Sequence, residues 1–404
     1  MSRLTESFVR YAAFDTAADP SSEASPSSTR QLDFLRVLRD DLLELGMTDV
    51  HLDETGTLYA GLPAPGAVTV GLLAHVDTSP DAPGSGVVPV LHEDWDGSPI
   101  RLGEGLVIDP AECGDMLRYV GGTIVTSDGS TLLGADDKAG VAIIVEACRQ
   151  LVEDPSLPRP PLRVAFTTDE EIGRGVDGFD TARFAADLAY TVDGGPVGRV
   201  DAATFNAWSA EWTITGREVH PGSAKGVMVN AVRIAADIVS SLAAEEMPES
   251  SDALEGYDYP HRISGTVSSA TVRMLLRDFE SGGMERRLSR LRAMRDWMSA
   301  RYPGAVVELE LKEQYRNPAE VLRADRRPVE YALRGTAAAG VEAEEGSIRG
   351  GTDGSRLSFM GVPTVNLPTG GELFHSRREW VAAEGMELSL TILLRTLGIW
   401  GLEA

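Results

Sequence analysis

The chain carries two hydrophobic rhythms, and they change over near residue 205. Residues 4–14 (LTESFVRYAAF) and 30–46 (RQLDFLRVLRDDLLELG) space Leu, Phe and Val as helices do, with Thr29 placed to cap the second helix and Gly46 to stop it. Between them DTAADPSSEASPSST is a Ser/Pro/Ala-rich loop without a period. Short strands are predicted at VHLDE, TLYAGL and VTVGLLAHVD; the last has the continuous apolar body of a strand buried on both faces. Residues 80–130 are rich in Gly and Pro and predict only irregular short strands. DDKAGVAIIVEACRQLVED then reads as a strong helix, PLRVAFTTDEEIG as a buried strand running into acids, and DLAYTVDGGPVG as one more strand. Helices alternating with buried strands predict an α/β layer architecture.

Beyond residue 205 the order becomes strand, helix, strand. AWSAEWTITGREVH alternates as a strand, VMVNAVRIAADIVSSLAAE reads as a helix and ATVRMLLRDF as a strand. MERRLSRLRAMRDWMSARY is a basic amphipathic helix, and AVVELELKEQY closes the series as a strand. This β-α-β-β-α-β-like run has its own apolar faces and predicts an inserted domain over residues 205–317. It divides an enclosing domain into residues 1–204 and 318–404, the second part ending in the helix WVAAEGMELSLTILLRTLGIW (380–400).

Composition narrows the function. The chain has 404 residues, and 37 Lys and Arg against 62 Asp and Glu set the net charge at −25. Nucleic acid and anionic membrane surfaces both call for a basic footprint, and none is present. No run of about 18 apolar residues marks a membrane span. Two cysteines, Cys113 and Cys148, are too few for a disulfide framework. The expectation is a cytoplasmic protein.

Candidate chemistry gathers at strand and loop ends. His75 and Asp77, two apart in LLAHVDTSPD, project to one side of a strand. A carboxylate there can take one ring N–H and leave the other nitrogen for a metal, although a polar strand end is the plain alternative. Asp136 and Asp137 sit between Gly134 and a helix, where a simple N-cap is also a fair account. Asp169, Glu170 and Glu171 follow directly on a buried strand, where crevices of α/β sheets open and a solvated charge run is less expected. Asp193 in TVDGG and His375 in GGELFHSRREW complete the set. Two histidines and several carboxylates are the donors of a two-metal hydrolytic site, and N and O ligands suit Zn²⁺.

Taken in order, HVDTSPD, LLGADDKAG, TTDEEIG, TVDGG, VHPGSAKGVMVNA, RDFE, IRGGTDGSRLSFMGVP and FHSRREW resemble the peptidase T family, aminotripeptidases among the co-catalytic zinc exopeptidases and relatives of carboxypeptidase G. The resemblance spans nearly the whole chain, and HPGSAKGVMVNA and RGGTDG are its most specific stretches. It implies a zinc-exopeptidase-like catalytic domain with a mixed central sheet flanked by helices, and an inserted α+β, ferredoxin-like lid and dimerisation domain. It implies two Zn²⁺ per chain, with Co²⁺ or Mn²⁺ as substitutes. His75 and Asp193 would hold one ion, Glu171 and His375 the other, with Asp136 bridging; Asp77 would orient His75, Glu170 would be the general base, and Asp137 would bind no metal. His220 would reach the active site of the partner subunit in a homodimer formed through the inserted domain, though by itself it reads as a turn histidine before Pro221. Arg277 and Arg349 would clamp a peptide carboxylate, surface ion pairs being the alternative, and Asn230 and Asn317 would contact substrate. The expected reaction is removal of the N-terminal residue from tripeptides. A dipeptidase or another amide hydrolase of the superfamily is the alternative activity. A non-catalytic scaffold would be expected to lack a ligand or the base, and every such position is filled.

Overall fold

The computed structural model describes residues 1–403. The chain forms two units. The first comprises Met1–Ala202, Pro318–Ser347 and the residues from Thr352 onward; the second comprises Ala203–Asn317 with Ile348–Gly351. The strip Ile348–Gly351, which the sequence pattern places in the enclosing domain, packs with the inserted one. The reason is local: Arg349 donates to the carbonyls of Ala253 and Glu255 and to Ser251, and its guanidinium lies over Phe205 and Tyr257.

The first unit is built on an eight-stranded mixed sheet. Its order is Thr48–Leu52, Leu58–Leu62, Leu162–Thr167, Val70–His75, Leu188–Gly194, Thr364–Pro368, Arg199–Thr204, Glu344–Ile348. The central strands Leu162–Thr167, Val70–His75, Leu188–Gly194 and Thr364–Pro368 run parallel, and all six residues of Val70–His75 are buried. Strands covered on both faces need apolar side chains throughout, which explains the continuous runs seen in the sequence. The covering helix Ala135–Glu153 is buried around most of its girth, because helices Arg3–Ala12 and Ala383–Glu403 cover its outer side.

The second unit holds a four-stranded antiparallel sheet, ordered Tyr257–Gly265, Ser269–Asp278, Asn206–Thr215, Val306–Tyr315, with helices Ala231–Ser240 and Ser281–Arg301. Element order and strand order are those of a ferredoxin-like βαββαβ unit. Trp212, Ile214, Val272, Met274 and Leu276 form its core with Ile234, Ile238, Leu288, Leu291 and Met298.

Two local expectations are corrected. Residues 380–382 form a strand, and the last helix starts at Ala383, because Trp380–Ala382 pairs with Ile124–Thr126. Ser28 takes the N-cap position that Thr29 was expected to fill, and Thr29 is the first helical residue. The strand Tyr257–Gly265 has no apolar alternation to announce it. It is an edge strand, which tolerates Pro260 and an irregular register between Pro260 and Arg262.

Candidate metal centre and active site

The parallel strands deliver their carboxyl ends to one place. His75 ends its strand beside Thr167, the last residue of the neighbouring strand. Two residues further on, Asp169 starts the turn that carries Glu170 and Glu171, and Asp193 sits near the end of Leu188–Gly194.

The Nδ1 of His75 faces the carbonyl oxygen of Asp77 at 3.1 Å and Asp77 Oδ1 at 3.3 Å. A carbonyl only accepts, so Nδ1 carries the proton and Nε2 points into the site. There it lies 3.0 Å from Asp136 Oδ1 and 3.6 Å from Asp193 Oδ1. On the other side, His375 Nε2 lies 3.2 Å from Asp136 Oδ2 and 2.9 Å from Glu171 Oε2. Asp136 thus turns one oxygen to each histidine. Glu171 Oε1 is buried and has no hydrogen-bond partner among the described residues, which leaves a lone pair open in the same place. Imidazole nitrogen and carboxylate oxygen are a donor set for borderline divalent metals such as zinc, and these side chains fit a metal pair.

The electrostatics agree. Burial opposes a charge on His75, but hydrogen bonds to Asp136, Asp193 and Asp77 outweigh it and hold its pKa well above the ordinary value. Hydrogen bonds to Asp136 and Glu171 push His375 up to about 11. Burial resists ionisation of Asp136, yet His375 and His75 hold it below the usual carboxylate range. Burial pushes Glu171 up to about 8 and Asp193 to about 6, and it raises Glu170 well above an ordinary glutamate.

Several supporting contacts were not legible in the sequence. Asp77 accepts the backbone N–H of both Glu170 and Glu171. Asp169 adopts a φ of 62° and is held by the Ser27 N–H at 2.6 Å, the Ser27 hydroxyl and Gln31 Nε2 at 2.7 Å. Asn366 Oδ1 accepts the Asp193 N–H at 3.1 Å. Glu379 accepts backbone N–H groups next to Asp136. Asp353, in the RGGTDG stretch, is buried and accepts the Thr167 hydroxyl at 2.7 Å. Asp137 lies close enough to His75 and Asp193 to form a ligand group with them. Its oxygens, however, accept the His75 N–H and the Gly140 N–H, both at 3.2 Å.

The remaining expected site residues lie in the second unit, on local duties. His220 is exposed, and its Nδ1 accepts the Gly222 N–H. Asn230 caps helix Ala231–Ser240 by accepting the Arg233 N–H. Asn317 is buried, with its amide spent on the Thr204 N–H and the Phe279 carbonyl. Arg277 is half-buried, bonds the Leu276 carbonyl and Gln314, and lies over Tyr315. Arg349 is turned to the 251–255 loop. Asn230, Asn317 and Arg349 thus make these hydrogen bonds within their own unit.

A mixed α/β sheet with His75, Glu171 and Asp193 at or just beyond its parallel strand ends, met by Asp136 from a helix start and His375 from a loop, defines a metallohydrolase-type centre. The sequence model of peptidase family M20/M25/M40 matches residues 128–398, and the chain belongs to this family. It is a metallo-exopeptidase. The chain is 39% identical over 403 residues to Peptidase T of Clostridium perfringens, covering 99% of each. Among solved structures it is similar to the aminopeptidase PepT of Bacillus cereus, with TM-score 0.77, 24% identity and 98% of each chain covered. A dinuclear metal-binding M20 peptidase of Bacillus subtilis matches with TM-score 0.68 and 14% identity, over 98% of this chain and 97% of that one.

Proposed function

We propose that this chain is a tripeptide aminopeptidase that works with two Zn²⁺ ions, for which Co²⁺ or Mn²⁺ can substitute. The observation that carries the reading is Asp136, with Oδ1 toward His75 and Oδ2 toward His375. The full-length relatives named Peptidase T support the substrate class.

In this reading His75 and Asp193 would hold one ion, Glu171 and His375 the other, and Asp136 would reach both. Bound there, a metal pair would supply Lewis acidity and would bring the pKa of a bound water toward neutrality. The protein's own residues handle position and protons. Asp77 keeps the proton on His75 Nδ1, so that Nε2 presents its lone pair. Glu170, whose affinity for a proton is raised by burial, accepts the proton of the attacking water and returns it to the leaving amine. Substrate contacts come from the inserted unit through His220, acting on the carbonyl oxygen in the partner's site of a homodimer, and through Arg277, reading the peptide carboxylate. The two cysteines are unpaired and buried, which accords with work in the cytoplasm.

Four measurements test this. Metal analysis of the purified protein should give two ions per chain, and chelation should abolish turnover. Glu170→Gln should lose about 10²–10⁴ in rate with its metals retained; loss of a metal instead would reverse the roles of Glu170 and Glu171. Mixed with His220→Ala under subunit exchange, Glu170→Gln should regain activity, because one heterodimer site keeps both groups. No recovery would remove the trans role of His220. A panel of di-, tri- and tetrapeptides with free and blocked termini should single out free tripeptides; a preference for dipeptides would favour the alternative activity.

A further inference from the structure

We infer that Glu379 is the positioning residue for Asp136, the carboxylate between the two histidines. The strand Trp380–Ala382 pairs antiparallel with Ile124–Thr126, with Trp380 opposite Thr126. That pairing brings Glu379, the residue before Trp380, against the loop leading from Thr126 to Asp136. Glu379 is 1% exposed. Its Oε2 accepts the backbone N–H groups of Leu133 and Gly134, each at 2.8 Å, and its Oε1 accepts that of Asp136 at 2.9 Å.

These amides lie where no helical partner is available to them. Helix Ala135–Glu153 begins irregularly, with φ −85° and ψ 104° at Asp136, so the first amides of the segment need an outside acceptor. A carboxylate accepting several backbone N–H groups makes charge-assisted bonds, which are shorter and stronger than neutral ones. Losing it would take the acceptor from three backbone donors, two of them buried.

The same short segment carries His375, whose Nε2 lies 3.2 Å from Asp136 Oδ2. Residues 375–379 therefore hold Asp136 twice, by its side chain at one end and by its backbone at the other. The backbone anchor sets the direction of the Asp136 carboxylate and divides its oxygens between His75 and His375.

The inference rests on the reading of Asp136 as the bridging ligand, and the test separates the two. Metal-free wild type, Glu379→Ala and Glu379→Gln are titrated with Co²⁺, following the visible absorption, and with Zn²⁺ by calorimetry; circular dichroism reports the fold. Wild type should take up two equivalents. Glu379→Ala should bind at least one equivalent about 10–100-fold more weakly, with an altered Co²⁺ spectrum. At saturating metal its kcat should fall while KM changes little. Glu379→Gln keeps one acceptor oxygen but turns an NH₂ toward N–H donors, and should fall between the two. A purely structural role would lower thermal stability and leave the Co²⁺ spectrum unchanged. Wild-type affinity and spectrum in Glu379→Ala would overturn the inference. If the alanine variant does not fold, the same result in Glu379→Gln overturns it. Failure of wild type to bind two equivalents would instead sink the bridging role of Asp136.

Discussion

Asp77 accepts the backbone N–H of Glu170 on Oδ1 at 3.1 Å, and with Oδ2 it accepts that of the next residue, Glu171. The same side chain faces His75 Nδ1. One buried carboxylate thus orients an imidazole from one strand end and fixes the turn that presents two acids from the neighbouring strand end.

Asp77→Asn should reduce turnover more than orienting His75 alone would require. The amide keeps one acceptor oxygen and sets an NH₂ against a backbone N–H of the 170–171 turn. Substitution of such supporting groups costs about 10–100-fold in metal affinity or activity. Steady-state kinetics with metal analysis should show both a lower kcat and weaker metal retention. Unchanged metal affinity would confine the role of Asp77 to the turn.

The end of the Ser/Pro-rich loop and the first turn of the helix after it should matter to the same turn. Asp169 sits in the left-handed region, where a residue other than glycine persists only when its surroundings hold it. Ser27 and Gln31 supply that hold, and Asp169 N–H donates in return to Gln31 Oε1 at 3.1 Å. Gln31→Ala should cost about 1.5–3 kcal/mol in chemical denaturation, the range for hydrogen bonds to charged groups. It should also lower kcat, since Glu170 is the next residue along. A stability loss with unchanged kcat would limit this contact to a structural part.

Metal uptake should release protons and strengthen with pH. In the metal-free protein His375 is raised to about 11, Glu171 to about 8 and Asp193 to about 6. Each raised group binds its proton more tightly folded than unfolded. Its contribution to stability is complete below its unfolded pKa and is lost as pH rises through the folded one. Asp136 is lowered and works the other way, losing its contribution at acid pH. Between pH 6 and 9 the raised groups dominate, so the thermal midpoint of the metal-free protein should fall. Ligands must be deprotonated to bind, so calorimetry in buffers of different ionisation enthalpy should report proton release. Uptake without proton release would contradict the protonation of these groups in the metal-free site.

Gly140→Ala should damage both stability and the site. A Cβ at this position would come 1.8 Å from the Val192 carbonyl oxygen and 2.3 Å from Asp137 Oδ1. Helix Ala135–Glu153 can lie this close to strand Leu188–Gly194 only without a side chain there. Overpacking of this kind costs about 1–3 kcal/mol, occasionally more. The strain falls on the residue before Asp193 and on the neighbour of Asp136, so metal content should drop along with the denaturation midpoint. Full metal content in the folded variant would show that the helix relaxes away from the ligands.

The α/β class and the set of chemical groups follow from the order of residues alone. Val70–His75, Leu162–Thr167 and Leu188–Gly194 are buried on both faces, and that demand writes an unbroken apolar run into the chain, with the acids and His75 marking where each run ends. Motif order carried the family as well. Tertiary structure alone decided how those groups are held. Asp77, Asp169 and Glu379 act on backbone amides 93, 142 and 243 residues away in sequence, and a backbone acceptor imposes no residue type on its partner. The same holds for the strand at Trp380, which exists because Ile124–Thr126 lies beside it, and for Arg349, which a local loop claims. Periodicity reports what a segment buries, whereas long-range pairing and backbone satisfaction depend on which segments meet, and that is settled only when the sheet assembles.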